Sequence, residues 1–166
     1  MGRIVVGVDG SQASHDALRW ALEEAQFRRA ELHVVHVYGP VGEESPYSAS
    51  YAYSPDMRTA ERITDDERKW REERERTVND RAKRIVADVV KSAGADAGEV
   101  EIKQEVIAGA KSAQSLIDRA RNADLLVVGS RGRGGFKGLL LGSVSQQCVQ
   151  HATCPVVVIR PQGTKH

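Results

Sequence analysis

The sequence has little cysteine, no excess of one charge and no long apolar run, and each of these absences excludes a class of protein. The two cysteines, Cys148 and Cys154, lack the doubled C-x-x-C spacing of a zinc site, so we expect two reduced, partly buried thiols. The 24 basic and 23 acidic residues leave a net charge of +1. Such a balance gives no general attraction to nucleic acid or to an anionic membrane, and no nucleic-acid-binding motif is recognised.

We expect neither a membrane-spanning segment nor a signal peptide in this sequence. No stretch approaches the ~18 consecutive apolar residues that a membrane-spanning helix needs. The apolar run from Ile4 to Val8 is interrupted at Asp9 and is too short for a signal peptide. We therefore expect a cytoplasmic protein without a membrane partner. The 166 residues are enough for one domain that folds without disulfides or metal, and we predict a single domain over residues 1–166.

Apolar periodicity predicts five strands that alternate with four helices. Short runs rich in valine, isoleucine and leucine indicate buried strands over residues 4–8, 32–38, 100–107, 124–129 and 155–160. Apolar residues at helical spacing predict helices over residues 12–29, 58–93, 113–120 and 144–152. The alternation predicts an α/β fold, a doubly wound parallel sheet with right-handed crossovers.

Two stretches depart from this regular alternation. Residues from about 39 to 58 are rich in glycine, proline, serine and tyrosine, and they predict a long irregular loop. Residues 58–76 are densely charged, and the apolar stripe of their helix begins only at Val78. We therefore expect only the second half of this helix to pack on the sheet. We interpret the charged half as a solvated extension, with a binding arm as the alternative.

A glycine-rich segment from Gly129 to Ser143 follows a buried strand and leads into a helix. Glycine lets the backbone approach a bound group closely, and its N–H groups can form an anion cradle. A helix that begins near Ser143 would direct its positive end to the same point, where the hydroxyls of Ser143 and Ser145 can add hydrogen bonds. The pattern predicts a phosphate site, although it is neither a Walker A loop nor the Rossmann fingerprint. A surface loop without a ligand is the alternative.

The same segment carries a resemblance to a known family. Gly129, Gly132 and Gly142-Ser143 are separated by two and nine residues, which resembles the G-2x-G-9x-G-[ST] motif of ATP-binding universal stress proteins. The stretches VGVDGS at residues 6–11, VIAG at 106–109 and CPVVV at 154–158 resemble other parts of that family, so the likeness spans the chain. It implies a flavodoxin-like fold of the adenine nucleotide alpha hydrolase type, with strand order 3-2-1-4-5. It also implies a homodimer formed through the last strand, Val156 to Ile159.

The resemblance further implies how ATP would be held in the crevice between the carboxyl ends of the first and fourth strands. Asp9 would serve the ribose or a bound Mg²⁺ or Mn²⁺ ion, with a helix cap as its alternative role. Gly109 would leave room beside the ribose, and Val37 would offer backbone hydrogen bonds to the adenine. The base side would be lined by Gly7 and Val8. The triphosphate would lie on Gly129, Arg131, Gly132, Gly142, Ser143, Val144 and Ser145.

The valines of this site have an ordinary structural interpretation. We expect the side chains of Val8, Val37 and Val128 to belong to the core of the sheet, so that only their backbones would contact a ligand. The histidines offer no metal site either. His33 and His36 lie three apart in a strand and face opposite sides, so they cannot chelate together. We expect His151 at a helix end or on the surface.

No catalytic constellation accompanies the predicted site. Neither a G-x-S-x-G elbow nor an H-E-x-x-H pair is present. Arg131, Arg133 and Lys137 could supply positive charge for ATP hydrolysis, but no general base is evident beyond Asp9. We expect a nucleotide-binding module for stress response or signalling, acting through unknown protein partners. The alternatives are a slow ATPase or nucleotidyl-transfer enzyme, and a sensor of AMP or cyclic AMP.

Overall fold

The computed structural model of the chain describes residues 2–39, 57–94, 100–132 and 140–161, with the backbone alone for residues 57–63. Nine elements occur in these residues. They are β1 (Arg3–Gly7), α1 (Gln12–Arg28), β2 (Glu31–Tyr38), α2 (Met57–Ser92), β3 (Ile102–Ala108), α3 (Ser112–Arg119), β4 (Leu125–Gly129), α4 (Ser143–His151) and β5 (Val156–Ile159).

The strands form one parallel sheet in the order β3-β2-β1-β4-β5, which confirms the predicted fold class and strand order. All five strands and four helices are found, with boundaries one or two residues from the prediction. Val8 falls just beyond β1, and α2 already begins at Met57, inside the predicted irregular loop. The rest of that loop, residues 40–56, lies outside the described residues. So do residues 133–139 of the glycine-rich segment, with Arg133 and Lys137 among them.

Helices cover both faces of the sheet because successive strand residues point to opposite sides. On one face, Ile4 and Val6 of β1 join a core cluster with α1 and α2, to which Leu18 and Val86 belong. On the other face, Val5 packs with α3 and α4, which contribute Leu116, Ile117 and Cys148. Leu18 and Val86 are almost fully buried, and such a side chain stabilises the fold by about 2 kcal/mol through its removal from water.

Local signals at both ends explain where α1 begins and ends. The Ser11 side chain accepts a hydrogen bond from the Ser14 N–H, which satisfies one of the free donors of the first turn. At the other end Arg29 adopts the left-handed conformation, with φ at 53°, and its N–H reaches the carbonyls of Ala25 and Gln26. The helix therefore starts directly after the Asp9-Gly10 turn that leaves β1.

Helix α2 packs on the sheet only through its second half, as its sequence predicts. No residue from 64 to 81 is buried, whereas Ala82, Val86, Val89 and Val90 are. The charged half carries ion pairs along its own surface, such as Arg71 to Glu67 at 2.8 Å, which support a solvated helix. Within the part of the chain that the structure describes, no helix is long and apolar enough to cross a membrane.

Candidate functional site

A cavity of about 640 Å³ opens where β1 and β4 end side by side, which is the point where the winding of the sheet reverses. Its volume is in the range typical of small-molecule sites, roughly 300–1,000 Å³. The described residues around it come from the carboxyl ends of three strands, from the amino ends of α1, α3 and α4, and from the second half of α2. They are Gly7, Val8, Asp9, Ser14, Val35, His36, Val37, Ile85, Ser112, Leu116, Val128, Gly129, Arg131, Gly132, Gly142, Ser143, Val144 and Ser145.

Every residue that the sequence predicts for the site lines this cavity, with the exception of Gly109. A Cβ on Gly109 would stand 2.6 Å from Ser115 Oγ and 3.4 Å from Val37 Cγ1. Gly109 thus packs against α3 and β2. Its place beside a ribose stays a prediction. Of the three valines whose side chains we expect in the core, Val8 and Val128 are buried, and Val37 is partly buried and packs against the core.

The two arms of the glycine-rich segment are tied together by one carbonyl group. The Ser130 carbonyl accepts hydrogen bonds from the Gly142 N–H at 2.7 Å and from Ser145 Oγ at 3.0 Å. The Ser130 N–H in turn donates to the Ile159 carbonyl of β5 at 2.6 Å. Residues 129–132 and 142–145 thus face the same cavity from fixed positions. Ser130 itself is 2% exposed, so the residue that links the two arms is buried beneath the cavity surface.

The amino end of α4 supplies hydrogen-bond donors to the cavity. Gly142 is its N-cap and no side chain caps the helix. The Gln146 N–H is the first to bond back, to the Gly142 carbonyl at 2.9 Å, so the N–H groups of Ser143, Val144 and Ser145 have no partner inside the helix. Such donors and the helix dipole favour an anion. The Ser145 hydroxyl donates within the protein, so this residue offers a ligand its backbone and not the expected side-chain bond.

The three motif glycines are present for different reasons. A Cβ on Gly129 would stand 2.9 Å from the Ala13 backbone, so close packing of β4 on α1 requires glycine there. A Cβ on Gly132 would stand 2.5 Å from Asp9 Oδ2. At Gly142 the nearest atom would be Arg131 Cα at 3.5 Å, an ordinary contact, and φ is −77°. Neither packing nor backbone conformation requires glycine at this position.

Asp9 is held against the cavity by the turn that follows β1. Its Oδ1 accepts a hydrogen bond from the Ser11 N–H at 2.9 Å, so the carboxylate also stabilises the start of α1. Gly10 has a φ of 78°, a conformation that glycine adopts readily, and its N–H donates to Ser14 Oγ at 3.1 Å. The helix-cap role and a position in the cavity are thus compatible.

Arg131 brings a positive charge to the same site. Its Nε is buried and has no hydrogen-bond partner among the described residues. A buried donor without a partner is costly, and a bound anion would satisfy it. Among the described residues that line the cavity, Asp9 alone carries a carboxylate. No group of three His, Cys, Asp or Glu side chains in the described ranges could hold a metal ion by itself.

Six cavity residues were missed by the sequence reasoning: Ser14, Val35, His36, Ile85, Ser112 and Leu116. Ser112 could have been found, because it opens a helix that follows a strand of the parallel sheet, and such helix starts lie at the same edge as the strand ends. His36 is next to Val37 near the end of β2 and is 8% exposed. Its Nδ1 lies 2.7 Å from the Val8 carbonyl oxygen.

The remaining histidines and cysteines lie elsewhere. His33 contacts Glu31 and Glu105 at 3.0 Å each, so it shares no partner with His36. His151 is exposed and is the last residue of α4, as its sequence predicts. Both cysteines are free. Burial, with a smaller contribution from the neighbouring Cys154, raises the pKa of the Cys148 thiol to about 11.

Comparison with known proteins agrees with this geometry. Residues 1–160 match the universal stress protein family. A universal stress protein of Mycolicibacterium smegmatis is 34% identical over 159 residues, which are 96% of this chain and 46% of that protein. The chain spans about half the length of the curated relatives it matches.

Two solved structures show the same likeness along nearly their whole length. The universal stress protein UspA from Lactobacillus plantarum is 25% identical and has a TM-score of 0.61, covering 96% of this chain and 97% of its own. A universal stress protein in complex with cAMP is 26% identical and has a TM-score of 0.58, covering 95% of each chain. The chain therefore belongs to the universal stress protein family.

Proposed function

We propose that this chain is a nucleotide-binding module whose ligand is ATP, bound with Mg²⁺ or Mn²⁺ in the cavity between the ends of β1 and β4. The observation that carries the proposal is the tie through the Ser130 carbonyl. It holds the Gly129–Gly132 backbone and the uncapped amino end of α4 around one cavity. Backbone N–H groups and a helix dipole that converge in this way form a phosphate site.

The triphosphate would lie on both arms of the glycine-rich segment, with the Arg131 guanidinium beside it. The N–H groups of Ser143, Val144 and Ser145 would bond its oxygens. The Asp9 carboxylate, which lies beside Gly132, would hold the cation together with the phosphates. Mg²⁺ usually takes one or two carboxylates plus substrate phosphates, so one aspartate fits this arrangement. The cation would neutralise phosphate charge that otherwise faces Asp9.

The base would lie at the end of β2, where the backbone of Val37 faces the cavity. Gly7 and Val8 would line its other side. Support for an adenine base comes from the 26% identical relative that is in complex with cAMP. That relative also favours a second candidate, a sensor of cyclic AMP or AMP. Backbone N–H groups bind any phosphate group, so the geometry of the phosphate site does not select for one, two or three phosphates. The preferred number has to be measured.

In the cell we propose a stress-response or signalling role, in the cytoplasm. Bound nucleotide would change loops and contacts that partner proteins recognise. We further propose a homodimer formed through β5, the edge strand, whose Val156, Val157, Val158 and Ile159 are all partly exposed. An apolar edge strand invites pairing with another strand. The chain spans about half the length of the curated relatives, which is compatible with a second module beside this one in those proteins.

Calorimetric titration of ATP, ADP, AMP and cyclic AMP into nucleotide-stripped protein, with Mg²⁺, tests the proposal. We expect micromolar or tighter binding of ATP. Gly142→Ala is the variant to compare, because its methyl group makes only ordinary contacts with the protein, 3.5 Å from Arg131 Cα and 3.8 Å from the Gly132 N. It would lie between the two arms, where a phosphate oxygen would bind. Gly39→Ala is the matched control, since its methyl group meets nothing within 4 Å and lies outside the cavity.

The outcomes are distinct. Binding that is lost in Gly142→Ala and kept in Gly39→Ala supports the site. If cyclic AMP or AMP binds more tightly than ATP, the second candidate function replaces the first. If none of the four nucleotides binds the wild-type protein, the proposed function is wrong.

A further inference from the structure

His36 is a buried side chain of the cavity to which the proposed function gives no role. It is 8% exposed, and its Nδ1 lies 2.7 Å from the Val8 carbonyl oxygen. A carbonyl oxygen only accepts hydrogen bonds, so the proton must be on Nδ1. The contact therefore fixes which nitrogen of the ring is the donor. It also occupies the first carbonyl group beyond β1.

In a longer β1–β2 ladder, the Val8 carbonyl would have a backbone N–H of β2 as its hydrogen-bond partner. Backbone groups of β2 point alternately to β1 and to β3. The Val8 N–H donates to the Val35 carbonyl at 2.9 Å, so the backbone groups of Val35 and, by alternation, of Val37 face β1. The Tyr38 carbonyl accepts from the Gly109 N–H, which lies on the side of β3. The last pair of the β1–β2 ladder is Gly7 with Val35. One step further, the Val8 carbonyl would accept from the Val37 N–H.

We propose that His36 is a positioning residue for the base of the bound nucleotide. By donating to the Val8 carbonyl it takes the place of the Val37 N–H there and leaves that N–H to the ligand. The Val37 carbonyl is left to the ligand as well, because its partner in the continued ladder, the Gly10 N–H, donates to Ser14 Oγ instead. This inference rests on the proposed function and deepens it. The base itself would be recognised by the Val37 backbone, and His36 would act through Val8.

The pattern of one donor and one acceptor on Val37 selects among purines. Adenine offers an acceptor at N1 and a donor at its amino group, which complement the Val37 N–H and C=O. Hypoxanthine presents a donor at N1 and an acceptor at O6, so each group would meet one of its own kind. Sites built to bond a particular N–H reject analogues that leave buried groups unpaired. We expect ATP to bind about 10- to 100-fold more tightly than inosine triphosphate.

Two substitutions separate the donor position from the rest of the side chain. His36→Asn keeps an amide N–H near the place of Nδ1, whereas His36→Gln moves the donor outward to the place of Nε2. Each variant is titrated with ATP, inosine triphosphate and inorganic tripolyphosphate, all with Mg²⁺. We expect His36→Asn to retain the preference for ATP and His36→Gln to lose most of it. Binding of tripolyphosphate should be the same in both, because phosphates lie at the other end of the cavity.

Imidazole nitrogen chemical shifts of the unliganded wild-type protein give a readout that needs no nucleotide. We expect the proton of His36 on Nδ1, and a proton on Nε2 alone would overturn the proposal. A preference for ATP that persists in His36→Gln would also overturn it. If the wild-type protein binds tripolyphosphate but does not distinguish ATP from inosine triphosphate, the role of His36 is wrong and the phosphate site stands. If it binds none of the three, the proposed function itself has failed.

Discussion

The Asp9 carboxylate lies so close to Gly132 that a methyl group on this glycine would stand 2.5 Å from Asp9 Oδ2. The two residues follow β1 and β4, the neighbouring strands between which the cavity opens. The carboxylate of the cavity therefore lies directly beside the glycine-rich segment that is proposed to bind phosphate. The glycine at this position thus sets where the carboxylate sits relative to a bound phosphate.

Gly132→Ala should therefore weaken nucleotide binding more than it weakens the fold. The methyl group would displace the Asp9 carboxylate, and we expect the affinity for ATP with Mg²⁺ to fall about 10-fold or more. The free energy of unfolding should change by only about 1 kcal/mol, because the carboxylate lies at a partly exposed turn. Calorimetric titration and urea denaturation measure the two effects. Unchanged affinity would show that the position of Asp9 does not matter for the ligand.

Asp9→Asn tests the cation that the proposal assigns to this carboxylate. The amide oxygen can still accept from the Ser11 N–H, so the turn should remain while the negative charge is lost. We expect the gain in ATP affinity on adding Mg²⁺ to shrink about 10-fold, and the affinity without Mg²⁺ to stay equal or rise. Titrations with and without Mg²⁺ measure this difference.

The matched control for that experiment is Asp16→Asn. Asp16 lies on α1, bonds Arg19 at 3.0 Å and is not among the cavity residues. Its substitution removes the same charge at a distance from the site. If Asp9→Asn keeps the full gain from Mg²⁺, the cation is held elsewhere.

The sequence could predict the elements and most of the site for identifiable reasons. Runs such as Ile4 to Val8 are apolar on both faces, which occurs in parallel sheets, and the spacing of Gly129, Gly132 and Gly142 matched a known family motif. The reason for Gly109 could not be told from the sequence, because a glycine that packs against Ser115 shows the same pattern as one that lies beside a ligand. His36 was missed because the register that puts its Nδ1 on Val8 is a property of the assembled sheet.

Cys148 should make the stability of the protein depend on alkaline pH. Its pKa is about 11 in the fold, mainly through burial, against an ordinary value of 9.0. Because the folded pKa is raised, the stabilisation is complete below pH 9 and is lost as the pH rises from there through 11. Between pH 9 and 11 the free energy of unfolding should fall by an amount on the order of 2 kcal/mol because of this thiol. Cys148→Ala lacks this contribution at every pH.

Urea denaturation at pH 8, 9, 10 and 11 checks this prediction. We expect the difference in unfolding free energy between wild type and Cys148→Ala to shrink as the pH rises, on top of a constant cost for the lost side-chain volume. Cys154→Ala serves as a comparison with a weaker trend, since Cys154 is only partly buried. A difference that is constant from pH 8 to 11 would mean that Cys148 titrates normally.

The proposed homodimer can be tested by removing one backbone donor from the open edge of β5. The N–H of Ser130 donates to the Ile159 carbonyl and that of Leu126 to the Pro155 carbonyl, so Pro155, Val157 and Ile159 face β4. By alternation, the N–H and C=O of Val158 point to the open side. Proline is tolerated on an edge strand where its missing N–H faces outward, so Val158→Pro should keep the β4–β5 pairing.

We expect Val158→Pro to be monomeric under conditions in which the wild-type protein is a dimer, as measured by light scattering of purified protein. Val157→Pro is the matched comparison, because it removes a bond to β4 and should cost about 3 kcal/mol of stability. If Val158→Pro folds and keeps the mass of a dimer, the two copies meet through another surface. A monomeric wild-type protein would contradict the proposal directly. The partly exposed apolar side chains of β5 would then mark an edge strand that is free to pair with a different partner.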